Sequence, residues 1–454
     1  MMMMEVDILS KEIIRPSSPA VHHLKSTKLS LLDQLTPTTY APLILFYPNK
    51  THPHFTTPKN LSAHLKYSLS ETLNRFYPFS GRNKNNFFID HYDEGVPYNE
   101  ARVRCRMFDF FQHPETESLN QFLPCHPFRK EPNPAEAAQF AVQVNIFDCG
   151  GIAIGLCMSH KIMDGATASA FLNSWAATAG TRPSKKLVQP DFSEASSPLR
   201  FPPQEDPLLL QSLASLVEGL WFNEGKYKTR RFVFGEKAIS TLRAKAKSKR
   251  VDNPSRIESL SAFIAARTMA TSSGFARPTI LAQAVNIRRL TKPRFSDSSM
   301  GNLFLLAFAA CDQNSDSVEM EIELPGLVAA LREAVEKING DYLRSMQGDE
   351  AFLANCEYLT KAAAMVFRPK ECQDYFRFTS WIKFGFNELD FGWGKPIWVG
   401  VLGGVGPEFR KLTIFNQVRS GNGIEAWVTL DEKEIDILEN DPEFLAFATP
   451  NPSV

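Results

Sequence analysis

The segment HKIMDG, from His160 to Gly165, places an imidazole four residues before a carboxylate. A neutral imidazole can take the proton of an alcohol while the alcohol attacks a carbonyl group, and this assistance is typically worth about 10²- to 10⁴-fold in rate. The string H-x-x-x-D is common by chance, and a single histidine is more often structural than catalytic. His160 is nevertheless the last of nine histidines, so nothing after it in the chain could supply an imidazole.

Asp164 allows two interpretations. Its carboxylate could orient the imidazole, as the acid of a hydrolase triad does. It could instead cap a helix and anchor the corner through a buried ion pair. We favour the second interpretation, because an N-cap carboxylate turns toward the N–H groups of its own helix.

A predicted hairpin and helix surround this segment. Residues 140–158 alternate bulky apolar side chains with smaller or polar ones on either side of a turn sequence, DCGG, at 148–151. Asp164 then begins a helix that Gly180 ends. His160 is therefore predicted at a strand-to-helix corner, where a side chain can project into a cleft. The stripe that this helix would bury, with i, i+3, i+4, i+7 spacing, is Ala168, Phe171, Leu172 and Trp175.

The chain as a whole has the pattern of a mixed α/β protein. Its 454 residues exceed the size of one hydrophobic core, so two domains are expected. The Pro- and Ser-rich stretch 193–207 is typical of a linker. Leucines four residues apart predict a helix from Leu61 to Phe76. The second half opens with a predicted strand, Thr229–Phe234, and a basic helix, Glu236–Lys249.

The composition excludes several classes of protein. Fifty basic residues balance fifty acidic ones, without the excess that a nucleic-acid-binding protein usually shows. No run of about 18 apolar residues could span a membrane, and residues 1–16 lack the apolar run of a signal peptide. The seven cysteines are scattered, without a C-x-x-C pair, and are expected as reduced thiols. We therefore expect a cytoplasmic protein with no nucleic-acid or membrane partner.

A second motif lies far along the chain. Together with the first, it makes the sequence resemble the BAHD acyltransferases of plant specialised metabolism. His160–Gly165 matches the family's H-x-x-x-D-G, and Asp390–Gly394 (DFGWG), followed by Lys-Pro, matches its D-F-G-W-G. The resemblance covers nearly the whole chain, and residues 14–19 (IRPSSP) are most similar to the alkaloid O-acetyltransferase group. Further matching stretches are 32–34 (LDQ), 77–82 (YPFSGR), 283–288 (QAVNIR) and 423–427 (GIEAW).

The resemblance implies two similar chloramphenicol acetyltransferase-like domains, each a mixed sheet flanked by helices, with a channel between them. The N-terminal domain would span residues 1–192, an interdomain linker 193–225 and the C-terminal domain 226–454. His160 would lie in the middle of the channel, between an acyl-CoA donor and a small-molecule alcohol acceptor that enter from opposite sides. Residues implied to support the site structurally are Asp164 paired with Arg288, Gly165, Asp390, Gly392 and Gly394.

Two further sets of residues follow from the resemblance. Trp381 and Thr379, in the stretch TSW, would donate hydrogen bonds to the oxygen of the tetrahedral intermediate, although a buried Trp can equally serve only in packing. The phosphates of CoA favour cations, and the basic run at 243–250 is a candidate, although such a run is usually a solvated face. The implied CoA-binding residues are Ser261, Ser380, Asn302 and Lys249.

Two departures from the family pattern bear on the substrates. Ala265 and Ala266 replace a common Trp-Lys pair, and Ser299-Met300 replaces the Tyr-Phe of a Tyr-Phe-Gly-Asn stretch that goes with several malonyl-using members. Acetyl or another short neutral acyl group is therefore favoured, so acetyl-CoA is the expected cosubstrate, with no bound cofactor and no metal. The acceptor that we expect first is an alkaloid alcohol, and the second candidate is a terpenoid or triterpenoid alcohol.

Other functions stay open at this point. An esterase needs an activated Ser or Cys, but no G-x-S-x-G elbow occurs, and Cys157 lies on the strand face opposite His160. A metal hydrolase would need a third ligand beside the histidine pairs at 22–23 and 52–54. An N-acyltransferase acting on an amine uses the same base, and an inactive CoA- or metabolite-binding relative could keep the same motifs. The favoured interpretation is a monomeric O-acyltransferase that forms no acyl-enzyme.

Overall fold

Two large β-sheets with helices packed on them make up the fold. The computed structural model describes residues 4–49, 58–129, 132–180, 188–272, 279–311, 323–367, 374–419 and 421–454. The described strands are, in chain order, β1 (Val6–Ile14), β2 (Thr27–Lys28), β3 (Tyr40–Tyr47), β4 (Arg82–Lys84), β5 (Phe88–Asp90), β6 (Val96–Val103), β7 (Phe140–Phe147), β8 (Ile152–Ser159), β9 (Asn223–Glu224), β10 (Tyr227–Phe234), β11 (Thr279–Asn286), β12 (Phe304–Cys311), β13 (Asp374–Ser380), β14 (Trp398–Gly400), β15 (Glu408–Phe409), β16 (Leu412–Gln417), β17 (Ile424–Asp431) and β18 (Ala448–Pro450).

Helices alternate with these strands along the chain, as a mixed α/β pattern requires. The described α-helices are α1 (Leu31–Gln34), α2 (Pro58–Leu73), α3 (Met107–Gln112), α4 (Gly165–Ala179), α5 (Pro207–Trp221), α6 (Glu236–Lys245), α7 (Arg256–Ser272), α8 (Leu324–Lys337), α9 (Gly340–Ser345), α10 (Ala351–Val366), α11 (Glu432–Leu438) and α12 (Pro442–Leu445).

Both large sheets are mixed. The first has the strand order β1-β6-β7-β8-β3-β14, with β6 and β7 parallel and the other neighbours antiparallel. The second has the order β12-β11-β13-β16-β17-β10-β18, with β13 parallel to both β11 and β16. The mixed α/β class predicted from the sequence is thus confirmed.

The hairpin and helix around the H-x-x-x-D segment form as predicted. All eight residues of β8 are buried, which is typical of a strand covered on both faces of its sheet. Asp164 caps α4, its side chain accepting from the N–H of Thr167, and Gly180 ends the helix. Of the other predicted elements, α2 ends three residues before Phe76 and α6 four before Lys249. The predicted stripe on α4 is buried: Ala168, Phe171, Leu172 and Trp175.

The two halves of the chain exchange segments. Strand β14 comes from the second half but completes the first sheet, pairing with β3 so that Trp398 lies opposite Phe46. Their rings stack with centroids 5.1 Å apart. In the other direction, Leu31 and Leu32 of the first half are part of the core of the second. The predicted domain boundaries stay a prediction, since each core takes residues from both sides of residues 193–225.

The predicted linker contains a helix. Asp206 caps α5, and Leu213, Val217 and Leu220 are buried along it at the i, i+4, i+7 spacing of an amphipathic helix. Residues 193–206, before this helix, form no helix or strand. The helix that follows ends at Trp221 and brings that indole ring against His160, at the corner between β8 and α4.

Candidate active site

A cavity that is partly open to solvent lies between the two sheets. Alternate residues of a strand point to the same face of a sheet, so four neighbouring strands of the second sheet together form one wall. That wall includes Phe304 and Leu306 of β12, Ala284 and Asn286 of β11, Arg377 and Thr379 of β13, and Leu412 and Ile414 of β16. The facing wall is the corner between β8 and α4 and includes Met158, His160, Met163, Gly165, Ala166 and Ala168.

His160 directly follows β8, as the parity of the strand predicted, and it lines the cavity. Its backbone N–H donates to the carbonyl of Thr39 at 2.7 Å. Its ring lies against Trp221 and Phe304, with centroids 5.1 Å and 5.6 Å away. Burial lowers the pKa of the imidazole below its ordinary value, and the positive charge of Arg377 contributes in the same direction. The ring is therefore neutral, and able to accept a proton, at neutral pH.

Asn302 determines which nitrogen of His160 carries the proton. Its Nδ2 donates to Asp33 Oδ1 at 2.9 Å and to the backbone carbonyl of His160 at 2.7 Å. The amide oxygen Oδ1 therefore faces Nδ1 of His160, at 3.1 Å, and accepts its N–H. Nε2 is left as the basic nitrogen, and it has no hydrogen-bond partner among the described residues.

Asp33 holds Asn302 in place from the other half of the chain. Its Oδ1 also accepts from the backbone N–H of Asn302 at 2.8 Å, and its Oδ2 accepts from the hydroxyl and N–H of Ser30. Burial has the largest effect on this carboxyl group and raises its pKa above the ordinary value. Hydrogen bonds from Ser30 and Asn302 act in the opposite direction and favour its charged form. Lys161 donates to the carbonyl of Asp33 at 3.0 Å, which ties the same segment to the catalytic corner.

Asp164 and Arg288 form the buried ion pair that the resemblance implied. Two hydrogen bonds join them, at 2.6 Å and 3.0 Å, in the bidentate geometry typical of Arg and a carboxylate. Oδ1 of Asp164 also accepts from the N–H of Thr167 at 2.8 Å, as an N-cap does. Burial acts to raise the pKa of Asp164, but the charge and hydrogen bonds of Arg288 outweigh it and hold the pKa below its ordinary value. The carboxylate therefore supports the corner and does not touch the imidazole.

The same ion pair fixes the loop that carries Asn302. Arg288 donates to the carbonyls of Ser299 and Gly301, at 3.2 Å and 3.1 Å. The N–H of Leu303 donates to Oδ2 of Asp164 at 3.1 Å. Asn302, between these anchors, can therefore hold its amide against His160.

Trp381 and Thr379 face the cavity in the TSW stretch. The backbone N–H of Trp381 donates to the carbonyl of Phe415 at 2.8 Å, and its ring packs edge-on against Phe386. The indole N–H and the Thr379 hydroxyl have no hydrogen-bond partner in the described part of the chain. Both are therefore available to an oxygen in the cavity, where one such donor is typically worth about 2.7–4 kcal/mol to an oxyanion transition state.

The DFGWG segment lies outside the cavity wall. Asp390 is exposed, and its Oδ1 accepts from the N–H groups of Gly392 and Gly394, at 2.9 Å and 2.8 Å. These two glycines have φ values of +108° and +106°, which other residues rarely adopt. Gly165, by contrast, starts α4 at the cavity, and a Cβ there would clash with the ring of Phe384. An architectural role for all four residues agrees with these positions.

The residues implied to bind CoA are not brought together. Ser380 lines the cavity, whereas Lys249 is exposed on the surface after α6. Ser261 is buried in α7, and its hydroxyl has no partner among the described residues. Asn302 uses its amide on His160 and Asp33, so we assign it to orienting the base. Contact of these residues with CoA stays a prediction.

Sequence reasoning missed four residues that shape the site. Asp33 stands in the LDQ stretch, which matches the family but does not by itself indicate a role for this residue. Trp221 was placed in the linker, although the apolar spacing before it could have revealed α5. Neither Lys161 nor Arg377 is marked by a local pattern, because each is buried by residues distant in the sequence.

The described residues contain no cluster of three or more His, Cys, Asp or Glu side chains that could hold a metal ion. His22 and His23 are exposed at the end of a short 3-10 helix, and the pair at 52–54 lies outside the described residues. Cys105, Cys149, Cys157 and Cys356 are not in disulfide bonds, and Cys372 lies outside the described ranges. Within those same ranges, no helix is long and apolar enough to cross a bilayer.

A neutral imidazole and two hydrogen-bond donors, the indole of Trp381 and the hydroxyl of Thr379, line one cavity, an arrangement that suits acyl transfer. A family model described as "Transferase family" matches residues 4–445, and the chain belongs to this family, the BAHD acyltransferases. It is 39% identical to the epi-neemfruitin B 7-O-acetyltransferase of Melia azedarach, over 99% of this chain and 100% of the relative. It is 40% identical to a limonoid 7-O-acetyltransferase of Citrus sinensis, over 99% of each chain. The crystal structure of vinorine synthase is similar at a TM-score of 0.80 and 34% identity, over 99% of this chain and 100% of that one.

The pH dependence of catalysis should report the buried imidazole. Because the pKa of His160 is lowered and only the neutral ring can accept a proton, kcat/KM should fall only below about pH 6.5, the ordinary pKa of histidine. A profile of kcat/KM from pH 5 to pH 9 measures this limb. An acid limb centred above pH 7 would contradict the proposed environment of the ring.

Replacing Asn302 by Leu should impair catalysis and spare CoA binding. The imidazole would lose the acceptor that fixes its tautomer. We therefore expect kcat to fall by up to about 10²- to 10⁴-fold, which is the usual contribution of a general base. The Kd for acetyl-CoA, measured by calorimetry, should stay unchanged. A raised Kd with an unaltered kcat would show instead that Asn302 serves the donor.

Replacing Asp164 by Asn should destabilise the protein at least as much as it slows the reaction. Arg288 would keep its charge in a buried site without a counterion, a loss typically worth about 3–5 kcal/mol. Melting temperature and kcat are measured together, with Glu333→Gln as a control that breaks only an exposed i, i+4 pair with Lys337. A large loss of kcat at an unchanged melting temperature would favour the orienting role for Asp164.

Proposed function

We propose that the protein transfers an acetyl group from acetyl-CoA to a hydroxyl group of a bulky, largely apolar plant metabolite. The observation that carries this proposal is the environment of His160. Its Nε2 is basic and lies in a cavity with two donors, the indole of Trp381 and the hydroxyl of Thr379. None of the three has a hydrogen-bond partner among the residues that the structure describes. Such an arrangement suits the attack of a hydroxyl group on a thioester carbonyl.

The proposed reaction is sequential. Acetyl-CoA and the acceptor alcohol occupy the cavity together, and Nε2 of His160 takes the hydroxyl proton as the oxygen attacks the thioester carbonyl. The new C–O bond forms a tetrahedral intermediate whose oxyanion accepts from Trp381 and Thr379. Its collapse breaks the C–S bond, and His160 returns the proton to the CoA thiolate. No side chain forms a bond to the acyl group in this scheme.

Cys157 does not offer an alternative nucleophile. It is fully buried in β8, lies outside the cavity wall and donates from its Sγ to the carbonyl of Cys125 at 3.4 Å. Direct transfer between donor and acceptor therefore suits this site better than an acyl-enzyme.

The relatives support an O-acetyltransferase and bear on the acceptor. Two of them are named as 7-O-acetyltransferases, one of epi-neemfruitin B and one of a limonoid, and they match this chain over its whole length. They favour a terpenoid alcohol, whereas the start of the sequence favoured an alkaloid alcohol. We propose that the enzyme acts on one of these two classes, as a monomer in the cytoplasm. The stretch that goes with malonyl-using members is absent, which supports acetyl as the acyl group.

Release of the CoA thiol from acetyl-CoA tests this function. Purified protein is assayed against terpenoid, alkaloid and phenolic alcohols and against amines, with His160→Ala as the matched variant. We expect release that depends on a terpenoid or alkaloid alcohol, with a loss of at least about 10²-fold in the variant. Release at the wild-type rate by His160→Ala would overturn the mechanism, and release with amines alone would make the enzyme an N-acyltransferase.

A further inference from the structure

Arg377 places a positive charge in the wall of an otherwise largely apolar cavity. It stands on β13 two residues before Thr379, on the same face of the strand, and only 7% of its surface is exposed. Two residues along a strand span about 7 Å. A molecule in the cavity could therefore contact the guanidinium of Arg377 and still present a hydroxyl group to the reaction centre.

The guanidinium has no counterion in the described ranges of the chain. Its Nε and Nη2 donate to the backbone carbonyls of Lys411 and Arg410, at 3.4 Å and 3.1 Å, and its Nη1 has no described partner. The rings of Trp221 and Phe409 lie 5.8 Å and 5.9 Å from its central carbon. Burial lowers the pKa of Arg377 to about 10, which leaves it charged at neutral pH.

The neighbouring carboxylates are already paired. Asp164 is the one acidic side chain among the described residues of the cavity wall, and it is bound to Arg288. Close to Arg377, Lys411 forms ion pairs with both Asp374 and Glu434. A buried charge without a partner is costly, so this end of the cavity favours a ligand that supplies oxygen acceptors and disfavours a second cation.

We infer that Arg377 is a specificity-determining residue for the acceptor, binding a carbonyl or carboxylate oxygen of the acceptor while excluding protonated amines. This inference rests on the proposed acetyl transfer and narrows its acceptor class. It favours an oxygen-rich terpenoid alcohol, bearing an ester, lactone or acid group, over an alkaloid alcohol with a protonated nitrogen. Trp221 contacts both His160 and Arg377, so one polycyclic acceptor lying on that indole reaches both groups.

The experiment compares three acceptors that share one hydroxylated triterpenoid skeleton. They carry a carboxylic acid, its methyl ester or a primary amine at the same carbon. Binding is measured by calorimetry and turnover by CoA release, for the wild type, Arg377→Met and Arg377→Lys. Arg410→Met is the matched control, because Arg410 is a neighbouring, partly buried guanidinium that also donates to backbone carbonyls but lies outside the cavity wall.

For the wild type we expect the acid and the ester to bind and the amine to bind at least tenfold more weakly. Arg377→Met should weaken the acid or the ester by about 10- to 100-fold, the worth of a charge-assisted hydrogen bond, and leave KM for acetyl-CoA unchanged. Whichever compound loses more affinity in Arg377→Met, the acid or the ester, identifies the oxygen group that Arg377 binds. Arg377→Lys should retain part of the preference, and Arg410→Met all of it.

Equal preferences in the wild type and Arg377→Met would overturn the inference, as would a rise in KM for acetyl-CoA alone, which would assign Arg377 to the donor. Failure of all three compounds to bind would also overturn it. The proposed acetyl transfer would survive each of these results if another alcohol still gave CoA release that depends on His160.

Discussion

The buried ion pair between Asp164 and Arg288 joins the two sheets at the catalytic corner. A pair taken out of water brings little net stability by itself, because the attraction is offset by the loss of hydration. Its value here is geometric. The carboxylate also caps α4, and the guanidinium also binds the carbonyls of Ser299 and Gly301. Both carboxylate oxygens of Asp164 and all three guanidinium nitrogens of Arg288 are thereby hydrogen-bonded in one arrangement of the two halves, which is how a buried polar network specifies a structure.

The state of the catalytic base follows from that arrangement. The loop held by Arg288 presents Asn302 to His160, and Asp33 fixes the amide so that its oxygen faces Nδ1. The proton on Nδ1 leaves Nε2 free toward the cavity. Burial against Trp221 and Phe304 keeps the ring neutral, so the same packing that positions the imidazole also gives it the protonation state that a general base needs.

The second sheet provides one wall of the cavity. Its alternate residues form a largely apolar wall on four strands, whose polar groups include the hydroxyl of Thr379 and the guanidinium of Arg377. Apolar walls with a few placed polar groups are typical of small-molecule sites, where packing supplies affinity and the polar groups supply orientation. Membership of the acyltransferase family agrees with the proposed roles of the base and of the donors. The inferred preference for an oxygen-bearing acceptor rests on the charge of Arg377.

The sequence by itself determined what local patterns can specify. Alternation predicted the hairpin, the capping residues predicted the start and end of α4, and two motifs predicted the family and the base at His160. These signals involve residues within a few positions of one another, where strand and helix periods dictate which side chains share a face. Only the tertiary structure decided that Asp33 and Asn302 orient the base, that β14 completes the first sheet, and that Trp221 and Arg377 reach the cavity. Those contacts join residues far apart in the chain and depend on which strands pair, a choice made by the packing of the whole core.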